Sequence, residues 1–184
     1  MTAALLVMDF QADIVARLGS PDVVAAAGTA VDAARAAGLP VLWVRVAFRA
    51  GYPEVSQRNR AFSQASARGE GFAQDAPGTQ IDAALSPRAD EPVVLKRRVS
   101  AFAGSDLEVL TRGLGVDTLV LAGISTSGVV LSTLREAADK DYGLVVLADA
   151  CADGDPEVHR VLTEKVFPRQ AEVTTVETWA TSLA

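Results

Sequence analysis

Apolar runs of strand length alternate along this chain with segments patterned at helical spacing. Ala4–Met8 is apolar throughout and closes on Asp9. Pro21–Ala37 is rich in Ala and Val, carries Asp32 and Arg35 outward and is followed by Gly38, which predicts a helix. Pro40–Val46, Pro92–Leu95, Thr118–Ala122 and Leu144–Ala148 predict four more strands, and Val173–Val176 a short sixth. Helices are predicted over Ser105–Arg112, Thr126–Lys140 and Pro156–Lys165, with one more at the C-terminal end. Ser105 and Glu108 have the spacing of a capping box. Val130, Leu134 and Ala137 share one helical face. Strands that are apolar on both faces and alternate with helices form a parallel sheet covered on both sides. The expected fold is a doubly wound α/β domain, with a mostly parallel six-stranded sheet and helices on both faces, running over 1–184 as a single unit.

Residues 47–91 break the pattern. They hold Gly, Ser, Gln and Arg with little periodicity, and a loop of that length in a compact domain is usually functional. Tyr52, Phe62 and Phe72 give it apolar anchors, so a lid or a subunit contact is expected there.

In a doubly wound sheet, ligands bind at the carboxyl ends of the strands. The polar residues that end strands are therefore the candidates: Asp9, Arg45, Lys96, the turn Gly123–Gly128 and Asp149. Asp9 follows an apolar run; partial desolvation would raise its pKa and suit it to proton transfer. The competing role is an Asp that caps the next turn. Lys96 could neutralise Asp9 or hold a developing negative charge; taken alone, a surface Lys covering the sheet edge is the simpler reading. The segment Gly-Ile-Ser-Thr-Ser-Gly joins a strand to a helix. Its glycines allow close backbone approach, and the helix start offers N–H groups to an oxyanion, a carboxylate or a phosphate. Ser and Thr at such a place also serve as ordinary caps. Thr126 and Ser127 in this turn, with Arg45, are candidate substrate contacts.

Composition narrows the function classes. The net charge is −6, and the only basic cluster is Lys96-Arg97-Arg98, which excludes an extended nucleic-acid surface. No apolar stretch reaches membrane-spanning length, and no basic segment precedes the first apolar run. The single cysteine, Cys151, rules out an intrachain disulfide and points to a reducing, cytoplasmic compartment. Cys151 is placed just beyond the fifth strand between Asp149 and Asp153, whose charges would raise its pKa and disfavour nucleophilic use. His159 is the only histidine and is expected to be a surface residue. One Cys and one His give no structural zinc set, and no metal or other cofactor is expected. No Gly-x-Gly-x-x-Gly follows the first strand, so a nucleotide-binding domain is poorly supported.

Together, LLVMDFQ near the start, the Lys96–Phe102 segment, the run from Gly104 through GISTSGVVLST and the LADAC strand end resemble the isochorismatase-like (cysteine hydrolase) superfamily, in this order and across almost the whole chain. The resemblance implies a parallel six-stranded sheet, a small-molecule substrate and a homo-oligomer, dimer or tetramer. In its cysteine members an Asp, a Lys and a Cys make the site. The Asp matches Asp9, the Lys matches Lys96, and the Cys position falls at Val129. The resemblance also implies a cis peptide at Ile124–Ser125 and an oxyanion site from the backbone N–H groups of Ser125 and Val129.

Two departures from the family pattern follow. Val129 cannot be a nucleophile, and the metal residues of the nicotinamidases are missing after the second strand, where the chain reads VRVAFRAGYPE. Isochorismatases proper also lack the Cys and cleave a vinyl ether by protonation, with Asp as acid and water as the attacking group. Such a substrate carries carboxylates, for which Arg45, Arg49, Arg58 and Arg60 are candidate partners. Ser127 and Ser132 are weaker candidates for a substitute nucleophile. Two readings stand: a thiol-independent hydrolase using Asp9 and Lys96, and a catalytically silent binding or assembly protein on the same fold.

Overall fold

The computed structural model describes residues 2–67 and 69–183. Its six strands are β1 (Ala3–Met8), β2 (Val41–Val46), β3 (Val93–Lys96), β4 (Thr118–Ile124), β5 (Gly143–Ala152) and β6 (Glu172–Thr174). They form one sheet in the order β3-β2-β1-β4-β5-β6, and every pairing is parallel. The α-helices are α1 (Ala12–Leu18), α2 (Pro21–Ala36), α3 (Arg60–Ser66), α4 (Leu107–Gly113), α5 (Leu131–Asp139), α6 (Pro156–Val161) and α7 (Val176–Ser182). The expected fold class holds.

Alternation along β1 divides the core. Ala4, Leu6 and Met8 pack on one face with Leu107, Val130, Leu134 and Phe167. Leu5 and Val7 pack on the other with Ala27, Ala30, Val31 and Trp179. Each layer of helices thus covers a strand face that is apolar, which is why the strands read as continuous hydrophobic runs. None of the helices in the described residues is long and apolar enough to cross a membrane.

Four local expectations are corrected. Helix α1 is added; it is only seven residues long, with Ile14, Val15 and Leu18 against the core, too brief for a clear periodic signal. The capping box does not form: Ser105 Oγ accepts from Leu107 N–H and donates to the Ala101 carbonyl, while Glu108 pairs with Arg112 and Lys140. The helix after β4 begins with a wide turn, Thr126–Val130, in which Val130 N–H reaches five residues back to the Ser125 carbonyl at 3.3 Å. Strand β5 runs on to Ala152, with a register shift that takes its pairing from Leu121↔Val146 to Gly123↔Cys151. Cys151 therefore lies within the sheet, opposite Gly123, rather than beyond it.

The 47–91 segment has structure of its own. Val46, Phe48 and Tyr52 form a small third core with Ile14, Val55, Phe62 and Phe72 packed on it. The Phe48 ring meets Tyr52 and Phe62 at 5.6 and 5.2 Å between centroids. The three aromatic anchors expected of this segment converge there.

Candidate active site

The first three strands deliver the polar centre. Met8 is level with Val44 on one side and Gly123 on the other, and Val46 is level with Lys96. Asp9, one residue past β1, and Lys96, at the end of β3, therefore emerge at the same edge of the sheet. Asp9 has φ 58°, a left-handed conformation that short polar side chains tolerate better than most. Its N–H donates to the Val44 carbonyl at 2.8 Å, which fixes the turn of the chain there.

Lys96 Nζ lies 2.9 Å from Asp9 Oδ2, and both residues are buried. The ammonium also donates to the carbonyls of Arg98 and Val99, at 3.1 and 3.0 Å. Three acceptors thus satisfy its three N–H groups. Asp9 Oδ1 is buried and has no hydrogen-bond partner in the protein. Burial raises the Asp9 pKa above its ordinary value, and Lys96, through its charge and hydrogen bond, together with the nearby Val46 backbone, partly offsets this. The arrangement can hold a proton on a carboxyl that has one free oxygen, beside a fixed cation.

Gln11 is a site-shaping residue that the strand-end argument overlooks, although it stands in the same LLVMDFQ motif. It is 1% exposed. Its Oε1 accepts from Val46 N–H at 2.8 Å, and its Nε2 donates to the carbonyls of Val46 and Thr79 at 2.9 and 3.0 Å. It ties the ends of β1 and β2 to the 47–91 segment. Its signal was a side chain with two donors and one acceptor next to a buried run.

The turn after β4 starts at a cis Ile124–Ser125 peptide. Ser125 Oγ accepts from Gly128 N–H at 3.1 Å, and a Cβ on Gly128 would lie 2.7 Å from that oxygen, so the glycine is required by this contact. Gly128 and Val130, on either side of Val129, both donate to the Ser125 carbonyl. Val129 is 2% exposed and packs with Met8, Phe102, Val130 and Cys151 in the core, so this point of the turn presents a buried aliphatic side chain. Ser127 N–H is taken by Asp153 Oδ2 at 2.7 Å. Thr126 is fully buried, with its Oγ1 2.8 Å from His159 Nδ1. His159 is half-buried, not a free surface residue. Burial lowers its pKa, with Asp153 pulling the other way.

Arg45 is not drawn to Asp9 or Lys96. Its guanidinium donates to the Gln74 carbonyl at 3.0 Å and lines a separate cavity with Gln80, Arg88 and Glu91. Arg49 is engaged by Glu54. Cys151 is buried, and its thiol is pushed up to about 12: burial is the main cause, a backbone contact to Gly123 works against it, and Asp149 adds to it. The expected inertness of this thiol thus has burial as its chief origin, ahead of the acidic neighbours. Ser132 sits at intermediate depth in α5. Among the described residues no three His, Cys, Asp or Glu side chains cluster as a metal site.

A buried Asp–Lys pair lies at the carboxyl edge of a parallel sheet, the edge at which β4 passes into a glycine-bearing strand-to-helix turn, and these features define an α/β protein with a polar centre where β1 and β3 end. The Isochorismatase domain model matches residues 3–178, and the chain belongs to the isochorismatase family. It is 38% identical over 181 residues to YecD, an uncharacterised isochorismatase family protein of Escherichia coli O157:H7, covering 96% of this chain and 93% of that one. It is 34% identical over 154 residues to the ureidoacrylate amidohydrolase RutB of Methylobacterium radiotolerans, covering 77% of this chain and 60% of the relative. Among solved structures, an isochorismatase family protein of Desulfovibrio vulgaris superposes with a TM-score of 0.88 at 29% identity, over 99% of this chain and 98% of that chain.

Proposed function

We propose that this chain is an isochorismatase-family hydrolase that acts on a small molecule without a cysteine nucleophile. The observation that carries the reading is the buried Asp9–Lys96 contact with its unpartnered Asp9 Oδ1. In this reading Asp9 is the proton-transfer group and Lys96 holds its charge. Protonated Asp9 gives its proton to the substrate, water attacks the carbon made electrophilic, the C–O bond of a vinyl ether or the C–N bond of an amide breaks, and a proton from that water returns to Asp9. The N–H groups of Ser125 and Val129 face the developing negative oxygen where one forms. That RutB is an amidohydrolase supports the C–N alternative; the valine at position 129 supports a route with no covalent intermediate. A cytoplasmic location belongs to the same reading, in keeping with a single, buried and free cysteine, and so does the homo-oligomer that the family resemblance implies.

The test is a panel of vinyl ethers, amides and esters turned over by wild type and by Asp9→Asn. Loss of at least about a hundredfold in kcat/KM is expected, the scale of a general acid. Unchanged turnover of every active substrate would sink the assignment.

A second reading, a silent binding or assembly protein, draws on the close packing of Val129. Val129→Cys discriminates: new amidase activity would mark a site complete but for its thiol.

A further inference from the structure

The strand-to-helix turn is held from its far side by two residues that the reaction scheme leaves unused. We infer that His159 is a positioning residue for the turn Ser125–Val129, acting through Thr126, with Asp153 as its companion clamp. This rests on the role proposed for that turn.

The geometry is specific. His159 Nδ1 is 2.8 Å from Thr126 Oγ1, and Thr126 has no exposed surface. Thr is β-branched, with a stiff first side-chain torsion, so a bond at its hydroxyl constrains the backbone that carries it. One residue on, Asp153 Oδ2 holds Ser127 N–H at 2.7 Å. His159 comes from α6 and Asp153 from the chain just after β5, so two separate supports meet two consecutive residues of the turn. Asp153 also withdraws one N–H from any anion at the turn, which limits where a substrate oxygen can sit. Nothing in the pair requires His159 to touch a substrate.

The outer side of the imidazole faces a cavity of about 550 Å³ lined by Arg17, Asp149, Cys151, Asp153 and Gly154, among others. The charged or titratable groups near it are therefore Arg17 from α1, Asp149 and Cys151 from β5 and Asp153 beyond it. On its own helix, Arg160 is paired with Glu157 and Glu164. Burial lowers the ring's pKa and so favours its neutral form, and a neutral Nδ1 can accept the Thr126 hydroxyl proton. Protonation turns Nδ1 into a donor, and the hydroxyl proton must then turn away.

Because His159 is the sole histidine, uniform ¹⁵N labelling of the full chain gives one imidazole to follow by NMR from pH 8 to pH 5, alongside the backbone amides. The expected result is that the amide resonances of Ser127 and Val129 move with the same midpoint as the ring. Thr126→Val should shift the ring's midpoint and abolish the shared movement, and Thr126→Ser should restore both. A ring that titrates while the turn amides stay fixed, or a midpoint unchanged by Thr126→Val, overturns the inference. With an active substrate, His159→Gln should lower kcat about tenfold and leave KM within about twofold. If Asp9→Asn leaves turnover intact while the amides still follow the ring, the proton-transfer assignment falls and the positioning role stands.

Discussion

Lys96 Nζ and Asp9 Oδ2 meet at 2.9 Å, yet Asp9 Oδ1, an atom of the same carboxyl, has no partner. The pair is fully satisfied on the cationic side and half satisfied on the anionic side. That asymmetry leaves Lys96 fixed by three acceptors and leaves one oxygen of Asp9 open.

Lys96→Met should destabilise the fold by about 3–5 kcal/mol at neutral pH, because it strands a buried carboxyl without its cation. The folded-state pKa of Asp9 is already raised and should rise further. A raised carboxyl contributes stability below its unfolded pKa and loses it as pH climbs through the folded value. The deficit should therefore be smaller at pH 4.5 than at pH 7.5 in urea unfolding. Adding Asp9→Asn should recover part of it.

Wild-type Cys151 should resist alkylation in the folded protein. A thiol pushed up to about 12 presents about one thiolate in ten thousand at pH 8, and the sulfur is buried besides. Mass spectrometry after iodoacetamide should find labelling only with denaturant. Rapid labelling of native protein would contradict the burial.

Gly123→Ala should weaken the carboxyl edge of the sheet. The added Cβ would lie 2.9 Å from Val130 Cγ2, 3.2 Å from the Met8 carbonyl oxygen and 3.3 Å from Met8 Cβ. The crowding involves strand backbone, so the neighbours have little room to yield. A loss of about 1–3 kcal/mol is expected in thermal unfolding.

Glu91 anchors the amino end of β3 to α2. Burial would raise its pKa, but bonds from Arg35 at 2.7 and 2.9 Å, from Arg88 N–H and from Trp43 Nε1 outweigh this and hold it at about 2. A depressed carboxylate gives stability above its unfolded pKa and loses it as pH falls through the folded value. Wild type should lose about 3 kcal/mol more than Glu91→Gln between pH 5 and pH 2. Parallel acid-unfolding curves for the two proteins would exclude this.

The sheet was readable because buried parallel strands are apolar on both faces; Ala4–Met8 and Thr118–Ala122 could hardly be anything else. Strand-end logic also brought out Asp9 and Lys96, whose meeting follows from β1 and β3 flanking β2 in parallel. Helix α1 was not legible, since seven residues span too few turns to show a period. The extension of β5 was hidden by Asp149, a polar residue in mid-strand whose Oδ1 accepts from Val176 N–H. His159 was undervalued for a different reason: its partner, Thr126, is 33 residues away, and no local pattern encodes that contact.

The three consecutive basic residues at the end of β3 and just beyond it point to different tasks. Lys96 turns inward to Asp9. Arg97 bonds the Ala47 carbonyl and Gln74, Arg98 donates to the Glu54 carbonyl, and Arg97 also pairs with Glu54. The 47–91 segment is thus moored to the two residues that follow Lys96, one of which also lends Lys96 a carbonyl. One short piece of chain, residues 97–99, therefore both holds the 47–91 segment and supplies two of the three acceptors that fix the ammonium.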